Sequence, residues 1–424
     1  MRADSKMTLP LVFLFIGAAA PVALAQGIAG IAKPAIADVA LDNLSIKGKD
    51  GGTVAIKSVV ATATNLSKDE LAKLFNPDTP KDVATAIVAK MKADKVSIPA
   101  IDVTDKESTL GFHDLTITGV NEGKVDGFAM SGFDGKVSSK DSGEVALKSG
   151  PLELKNLNLS RLMAGVSSGN FGDAAPRIGS ISWKGFEASF PDKDTPASAP
   201  GGNLIKVSLA SLTGENTYDG DIPVKGAGKG EHLVVVLPKG STGAQQLAQF
   251  GVDKIDIGIS ASGSYDKAKK SFALDDYTIT GVDAGAIGLK GSVGGVDPAV
   301  FSGDSQSRVA KLMGADISNI ALSYKDNGLF SKVVAYFADQ QKKTVADVKT
   351  EWSAMATQFL PLILGGDPSS LKIAAAVSDF ITAPKSLTIT AKAKAAPVKV
   401  TDLMMLSDPK ALLSKIDLDA VSGK

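Results

Sequence analysis

The chain contains one short phrase twice, as HDLTITGV at residues 113–120 and as DDYTITGV at residues 275–282. The two phrases continue as TITGVNEGKVDGFAMSG and TITGVDAGAIGLKGSVGG. Each run alternates apolar and polar residues, passes through a polar turn that contains glycine, and alternates again, which is the pattern of a β-hairpin. The identity of TITGV in both copies favours duplication over convergent composition. The sequence therefore predicts a sheet of repeated hairpins in which TITGV is scaffold.

Other segments extend this pattern along the chain. A fainter copy, LDNLSIKGKDGGTVAIKSV, lies at residues 41–59, and further alternating segments lie at 144–159 and 254–281. The composition agrees, because 43 glycines and only 5% aromatic residues suit short strands joined by glycine turns. Most of the chain is therefore expected to be β-structure.

Helix signals interrupt the strands. Ser67 with Glu70 and Thr344 with Asp347 have the spacing of helix caps, and Asp367 followed by proline predicts another helix start. Apolar residues recur with helical periodicity over residues 328–363. We therefore predict a β-rich α+β fold, in which duplicated antiparallel hairpin units form a twisted sheet with helices packed on one face.

The same signals divide the chain into three predicted regions. Residues 1–25 are a signal peptide, residues 26–315 a repeated hairpin region with inserted helices, and residues 316–424 a helical region with a closing strand. The last region is expected to end in short C-terminal helices over DLMMLSDPKALLSKIDL, residues 402–418, and to pack on the same sheet. The segment PDKDTPASAPGGN, residues 191–203, is interpreted as an exposed loop and not a boundary.

The signal-peptide prediction rests on the stretch MRADSKMTLPLVFLFIGAAAPVALA. Arg2 and Lys6 precede an apolar run at residues 9–20, and Ala23-Leu24-Ala25 precedes the expected cleavage site. A membrane anchor is the alternative, but the run is shorter than the ~20 residues that a spanning helix needs. We expect an exported protein without an integral membrane segment after cleavage, located in the periplasm or, alternatively, outside the cell.

Residues with catalytic or metal-binding chemistry are few. The chain has no cysteine, and its two histidines, His113 and His232, fall in separate predicted strands. Nucleotide, calcium and nucleophile-elbow motifs are absent, and Ser369 of an S-x-x-K match is explained by helix capping. With 46 basic and 46 acidic residues, no charge excess favours nucleic acid. We therefore predict no catalytic, cofactor-binding or metal-binding residue.

The remaining candidate feature is apolar. Two predicted helices carry stripes of large side chains at helical spacing. One interpretation is that these stripes cover the inner face of the sheet; the other is that they form a wall of an elongated apolar cavity. On the second interpretation the candidate ligand-binding residues are Val333, Tyr336, Phe337, Trp352, Met355 and Phe359.

Three runs of the chain also carry a family resemblance. The runs FALDDYTITGVDAGAIGLKGSV, GGVDPAVFSGD and SYKDNGLFSKVVAYFADQQ resemble uncharacterised exported proteins of alphaproteobacteria, chiefly over residues 250–424. Those proteins are in turn loosely similar to AsmA-like envelope proteins, and that similarity implies β-repeats that form apolar grooves for lipids. The expected function is non-catalytic binding of a lipid or other apolar envelope molecule between sheet and helices. A structural or protein-interaction role in the envelope is the alternative, and a hydrolase comes third.

Overall fold

The computed structural model describes residues 36–48, 51–139, 143–158, 177–199, 201–301, 305–403 and 413–423. The chain forms two compact units, the first of Met1–Pro191 with Ser211–Glu215 and the second of Asp192–Ala210 with Asn216–Lys424. The division between the units falls at Pro191 and Asp192, at the start of the segment 191–203, whose described residues after Pro191 are turns and loop. The boundary expected near residue 315 lies inside the second unit. The predicted signal peptide, residues 1–25, lies outside the described residues.

The described part of the first unit consists of antiparallel strands and two helices. Its described strands are β1 (Ala37–Lys47), β2 (Thr53–Thr64), β3 (Lys92–Thr104), β4 (Ser108–Asn121), β5 (Lys124–Met130), β6 (Gly132–Ser139), β7 (Gly143–Ser149), β8 (Leu152–Asn158) and β9 (Ile178–Pro191). Its described helices are α1 (Lys68–Leu74) and α2 (Lys81–Lys90). Strands β1 to β4 pair in chain order, and β4 then divides its length between β5 and β6. Strands β5 and β6 pair with β8 and β7, which both pair with β9.

The core of this unit lies where α1 and α2 connect β2 to β3. Leu71 of α1, Val59 of β2 and Val96 of β3 are almost completely buried in one apolar cluster. Helix α1 begins at the predicted cap, because the Ser67 hydroxyl accepts from the Glu70 backbone N–H and the Glu70 carboxylate accepts from Ser67. The helices therefore close one apolar side of the early strands.

The second unit repeats the arrangement with more helices. Its described strands are β10 (Leu204–Asp219, of which Ser211–Glu215 belong to the first unit), β11 (Ile222–Val236), β12 (Ile255–Asp266), β13 (Ser271–Gly281), β14 (Gly285–Gly294), β15 (Asp316–Asp326), β16 (Ser386–Ala393), β17 (Val398–Lys399) and β18 (Ile416–Gly423). Its described helices are α3 (Thr242–Gln249), α4 (Ser305–Leu312), α5 (Leu329–Gln341), α6 (Val345–Ile363), α7 (Pro368–Thr382) and α8 (Val400–Leu403). Strands β11 to β15 pair antiparallel in chain order, β15 then pairs with β16 and β17, and β16 pairs with β18.

The duplicated phrase forms a hairpin in each unit, as predicted. The first copy ends β4, and Glu122 and Gly123 turn the chain into β5 with positive φ angles of 52° and 80°. The second copy ends β13, and the turn into β14 contains Asp283 with φ 56°. Both turns place residues in the left-handed region, which Gly, Asn and Asp adopt most readily. The β-rich α+β class with antiparallel strands is confirmed.

The C-terminal segment differs from the prediction. Short helices were expected over residues 402–418, and the described residues there are helical at 402–403 and 413–415, but from Ile416 onward the chain is strand β18. Residues 404–412 lie outside the described part. The alternation of Ile416, Leu418 and Ala420 has the two-residue period of a strand, and these side chains face α7, which packs on β18. Tertiary pairing with β16 therefore decides the conformation of this segment.

The Asp326 carboxylate connects the start of helix α5 to the end of strand β15. Asp326, the last residue of β15, accepts hydrogen bonds from the Tyr324 hydroxyl (2.8 Å), the Phe330 backbone N–H (2.9 Å) and the Gly328 backbone N–H (3.1 Å). The backbone N–H of Leu329 donates to the Ala284 carbonyl in the neighbouring turn (3.3 Å). Burial and the adjacent Asp326 carboxylate raise the pKa of the Tyr324 hydroxyl well above its usual range. Tyr324 thus remains a neutral donor, and α5 starts at a fixed position.

The cap of α1 predicts a pH dependence. The Lys90 ammonium and the Ser67 backbone lower the pKa of Glu70 to about 2, from an ordinary value of 4.5. Because the folded-state pKa is depressed, the contribution of Glu70 to stability is complete above pH ~4.5 and is lost as the pH falls toward ~2. We expect the free energy of unfolding, measured by urea denaturation, to fall less steeply across this window in Glu70→Gln than in wild type. Glu107→Gln, at an exposed turn, is the control, and equal slopes in all three proteins would contradict the prediction.

The Asp326 junction predicts a localised loss of stability. Asp326→Ala removes the acceptor of three donors, so we expect about 2 kcal/mol of destabilisation in urea denaturation. Tyr324→Phe, which removes one hydroxyl, should cost about 1 kcal/mol. In a Trp183→Phe background, Trp352 reports the transition, since the chain has two tryptophans. Lys325→Ala, an exposed neighbour on β15, is the matched control; if it destabilises as much as Asp326→Ala, the junction has no special role.

Candidate functional site

In the second unit, one face of the sheet is apolar across five strands, β12 to β16. Residues directly opposite each other in antiparallel strands lie on the same face, so the pairing register identifies the rows. One row consists of Ile259, Ile279, Ile287, Tyr324 and Leu387. The next consists of Ala261, Tyr277, Leu289, Leu322 and Ile389. The opposite face carries mainly small and hydroxyl side chains, as in the row Ser260, Thr278, Gly288, Ser323 and Thr388.

Packed clusters cover this apolar face at both ends of the strands. At one end Tyr265 packs with Val296, Val300 and Ala315, and its hydroxyl donates to the Val296 carbonyl (2.9 Å). At the other end the ring of Tyr324 meets that of Phe380 on α7, with centroids 5.7 Å apart. Helix α7 also packs on β16 and β18. Tyr324 belongs to the first row, so this cluster covers the β15 end of that row, and the apolar side chains on β12 to β14, together with Leu322, lie beside it.

The part between the clusters is exposed, and we call it the open sheet face. Its four defining side chains are each between 39% and 53% exposed, and they are Ile259, Tyr277, Ile287 and Leu322. They lie one on each of β12 to β15 and in two adjacent rows. Strand and residue spacings give this surface dimensions of about 14 Å across the strands and about 7 Å along them. These four side chains form an apolar surface, and none of them has a carboxylate, amine or imidazole group.

The helices beside this surface are held together by a continuous chain of aromatic contacts. Neighbouring ring centroids are 5.0 to 6.2 Å apart, within the range of favourable aromatic pairs. In order, the rings are Phe250, Tyr336, Phe337, Trp352, Phe330, Phe380 and Tyr324. The chain connects the end of α3, helices α5, α6 and α7, and strand β15. It fixes the helical layer relative to the sheet.

The six candidate ligand-binding residues are divided between two environments. Tyr336, Phe337 and Trp352 belong to the aromatic chain, and Trp352 also packs on the buried Val334 and Val348 cluster; Val333 is half-buried. Met355 and Phe359, further along α6, are 43% and 54% exposed. The structure therefore brings Val333, Tyr336 and Trp352 into or beside the helical core and leaves Met355 and Phe359 at the surface, whereas Phe337 contacts the core rings and is still 39% exposed.

Exposed apolar side chains continue beyond Phe359 to the end of α6, and we call this surface the helical tip. It comprises Phe359, Leu362, Ile363 and Leu371, whose exposed fractions range from 54% to 74%. The first three lie at the C-terminal end of α6 and Leu371 in the first turn of α7. The helical tip therefore surrounds the connection between the two helices.

Sequence reasoning missed the open sheet face. The alternation at Ile255, Ile257 and Ile259 predicted that one face of β12 is apolar, but it did not distinguish covered from open positions. Only the pairing register and the placement of the helices make that distinction, and no local pattern marks Ile287 or Leu322 as exposed. The part of the site that could be found from the sequence was the α6 stripe.

The polar candidates stay separate. His113 Nε2 lies 2.6 Å from Asp134 Oδ1 in the first unit, and His232 Nδ1 lies 3.0 Å from Asp256 Oδ1 in the second. Among the described residues, no three His, Asp or Glu side chains are grouped to hold a metal ion. Within the described residues, no helix is both long enough and apolar enough to cross a membrane.

Comparison with known proteins identifies one similar family. A family model described as "Uncharacterized protein" matches residues 278–422, which run from β13 through β18 and include the helical tip. No curated protein matches the sequence. The matched segment contains Ile287 and Leu322 of the open sheet face and the whole aromatic chain apart from Phe250.

Proposed function

We propose that this protein is a non-catalytic binding protein for a lipid or another elongated apolar molecule of the cell envelope. The observation that carries the proposal is the open sheet face, where four large apolar side chains on four consecutive strands are about half exposed. Packed clusters limit this surface at both ends of the strands. The ligand would lie on this surface and not in a closed cavity between sheet and helices.

The energetics favour an apolar occupant. Complete burial of a large apolar side chain contributes roughly 1.5–3 kcal/mol, so covering the exposed halves of four such residues contributes on the order of 4 kcal/mol. A molecule that extends over the half-buried neighbours Ile279 and Leu289 gains more. The surface has few hydrogen-bonding groups, so it selects for hydrophobicity and length and not for a particular functional group.

The sequence supports an envelope location. The predicted signal peptide at residues 1–25 directs the chain out of the cytoplasm, and the resemblance to AsmA-like proteins implies lipid-binding β-repeats. A protein of the envelope is surrounded by apolar molecules of the size that the open sheet face accommodates. A structural or protein-interaction role remains the alternative that the following experiment separates.

The double variant Ile287→Ser/Leu322→Ser tests the proposal. Native mass spectrometry of the chain purified without detergent from its own cell should show a recurrent lipid-sized adduct, which solvent extraction identifies. We expect the occupancy to fall about tenfold in the double variant, because two adjacent apolar contacts are removed. Val421→Ser is the control, since Val421 is 62% exposed, more than Ile287 or Leu322, but lies on the opposite face of the sheet.

Two results would reject the proposal. One is an unmodified mass together with no binding of an added fluorescent phospholipid; crosslinking for a protein partner would then test the alternative role. The other is equal loss of the adduct in the control variant, which would place the ligand elsewhere.

A further inference from the structure

We infer that the helical tip inserts into the interfacial region of a lipid bilayer. Its four side chains are more exposed than those of the open sheet face, and they lie together at one end of a helix pair. Met355 extends the same stripe one turn back along α6. The inference concerns different residues from the proposed function and does not depend on a ligand being bound there.

The charge distribution suits a hydrocarbon boundary. From Trp352 to Leu371 the only ionisable residue is Asp367. Its carboxylate caps the N-terminus of α7, because Oδ1 accepts a hydrogen bond from the Ser370 backbone N–H (2.8 Å). Lys372, the next charged residue along the chain, lies 3.8 Å from Asp419. No exposed charge therefore lies between Trp352 and Leu371, and the nearest one along the chain is the 68% exposed Lys372 side chain that follows the tip.

The backbone between α6 and α7 also makes internal hydrogen bonds, which an apolar medium favours. The Leu364 N–H donates to the Leu360 carbonyl (2.9 Å), and the Gly366 N–H donates to the Pro361 carbonyl (2.7 Å). Gly365 and Gly366 adopt φ angles of 93° and 76°, which permit this tight turn. Backbone groups that enter a bilayer without a partner cost several kcal/mol each, so these internal hydrogen bonds lower the barrier to insertion.

The exposed area argues against a second copy of the chain as the occupant. Four side chains that expose roughly 100 Å² each give about 400 Å², half of the ~800 Å² that each partner buries in a standard protein interface. A bilayer requires no complementary surface and accepts a small apolar protrusion to a depth of about 5–10 Å. The size of the tip therefore fits a membrane surface better than a dimer interface.

Vesicle flotation tests the inference. The full chain is mixed with phosphatidylcholine vesicles, with and without phosphatidylglycerol, at low and high salt. We expect wild type to float with both kinds of vesicle and to change less than about twofold with anionic lipid or salt, because the tip carries no basic side chain in contact with the headgroups. Phe359→Ser/Leu362→Ser should lower the partition coefficient about tenfold or more.

Two controls make the result specific. Val309→Ser/Leu312→Ser removes two apolar side chains of α4 that are 57% and 39% exposed, and it should leave flotation unchanged. All proteins must have the same N-terminus by intact mass, since the apolar run at residues 9–20 would itself bind vesicles. Leu362→Trp, in a Trp183→Phe/Trp352→Phe background, should show blue-shifted fluorescence and quenching by brominated lipid when vesicles are added.

The inference is overturned if wild type does not float, if the tip and α4 variants float equally, or if Leu362→Trp stays accessible to water. A concentration-dependent dimer that the tip variant abolishes in sedimentation equilibrium would also overturn it, in favour of a second copy. Failure here is distinguishable from failure of the proposed function. The tip variant should retain its lipid adduct, and Ile287→Ser/Leu322→Ser should still float.

Discussion

The hydrogen bonds of the Asp326 carboxylate and the contact of the adjacent Tyr324 ring fix where the helices of the second unit attach to its strands. They therefore determine how much of those strands the helices cover. Asp326 fixes the start of α5 at the end of β15, and Tyr324 meets Phe380 of α7 at the same place. Because the aromatic chain continues from there into α5 and α6, the helical layer is anchored at the ends of the strands and over β16 and β18. None of the described helices covers the middle of β12 to β15, where Ile259, Tyr277, Ile287 and Leu322 are exposed. The open sheet face is thus a consequence of where the helices are attached.

The two apolar surfaces of the second unit differ in kind. The open sheet face is formed by side chains that stand in two rows on a hydrogen-bonded sheet and have half-buried neighbours, so the strand pairing fixes their spacing. The helical tip protrudes at a turn between two helices, and its side chains have few neighbours. Rows of side chains on a sheet, as in the open sheet face, suit an extended molecule that lies along them. A small protrusion such as the helical tip suits a bilayer, whose lipids can surround it. This difference is the reason for assigning a ligand to one and a bilayer to the other.

Much of the fold could be predicted from local sequence. TITGV followed by a polar turn specifies a hairpin in both units, and Ser67, Thr344 and Asp367 cap helices where their side chains indicate. The conformation of residues 416–423 could not be predicted in this way, because a short alternating segment is stable only when a partner strand and a covering helix are present. The division near residue 191 was missed because hairpins of the same character lie on both sides of it.

The sequence predicted the candidate site only in part, for a similar reason: a local pattern does not show which neighbours cover a side chain. Helical periodicity correctly indicated the apolar stripe of α6, but the stripe is longer than the neighbour that covers it: Trp352 is held by Phe330 and Phe337, whereas Phe359 extends beyond them. Periodicity states which way a side chain points and says nothing about where its neighbour ends. An uncovered apolar surface favours aggregation, and a serine at Ile287 or Leu362 would remove that liability at little cost in packing. That large apolar residues occupy both surfaces is therefore an argument that each one contacts something apolar.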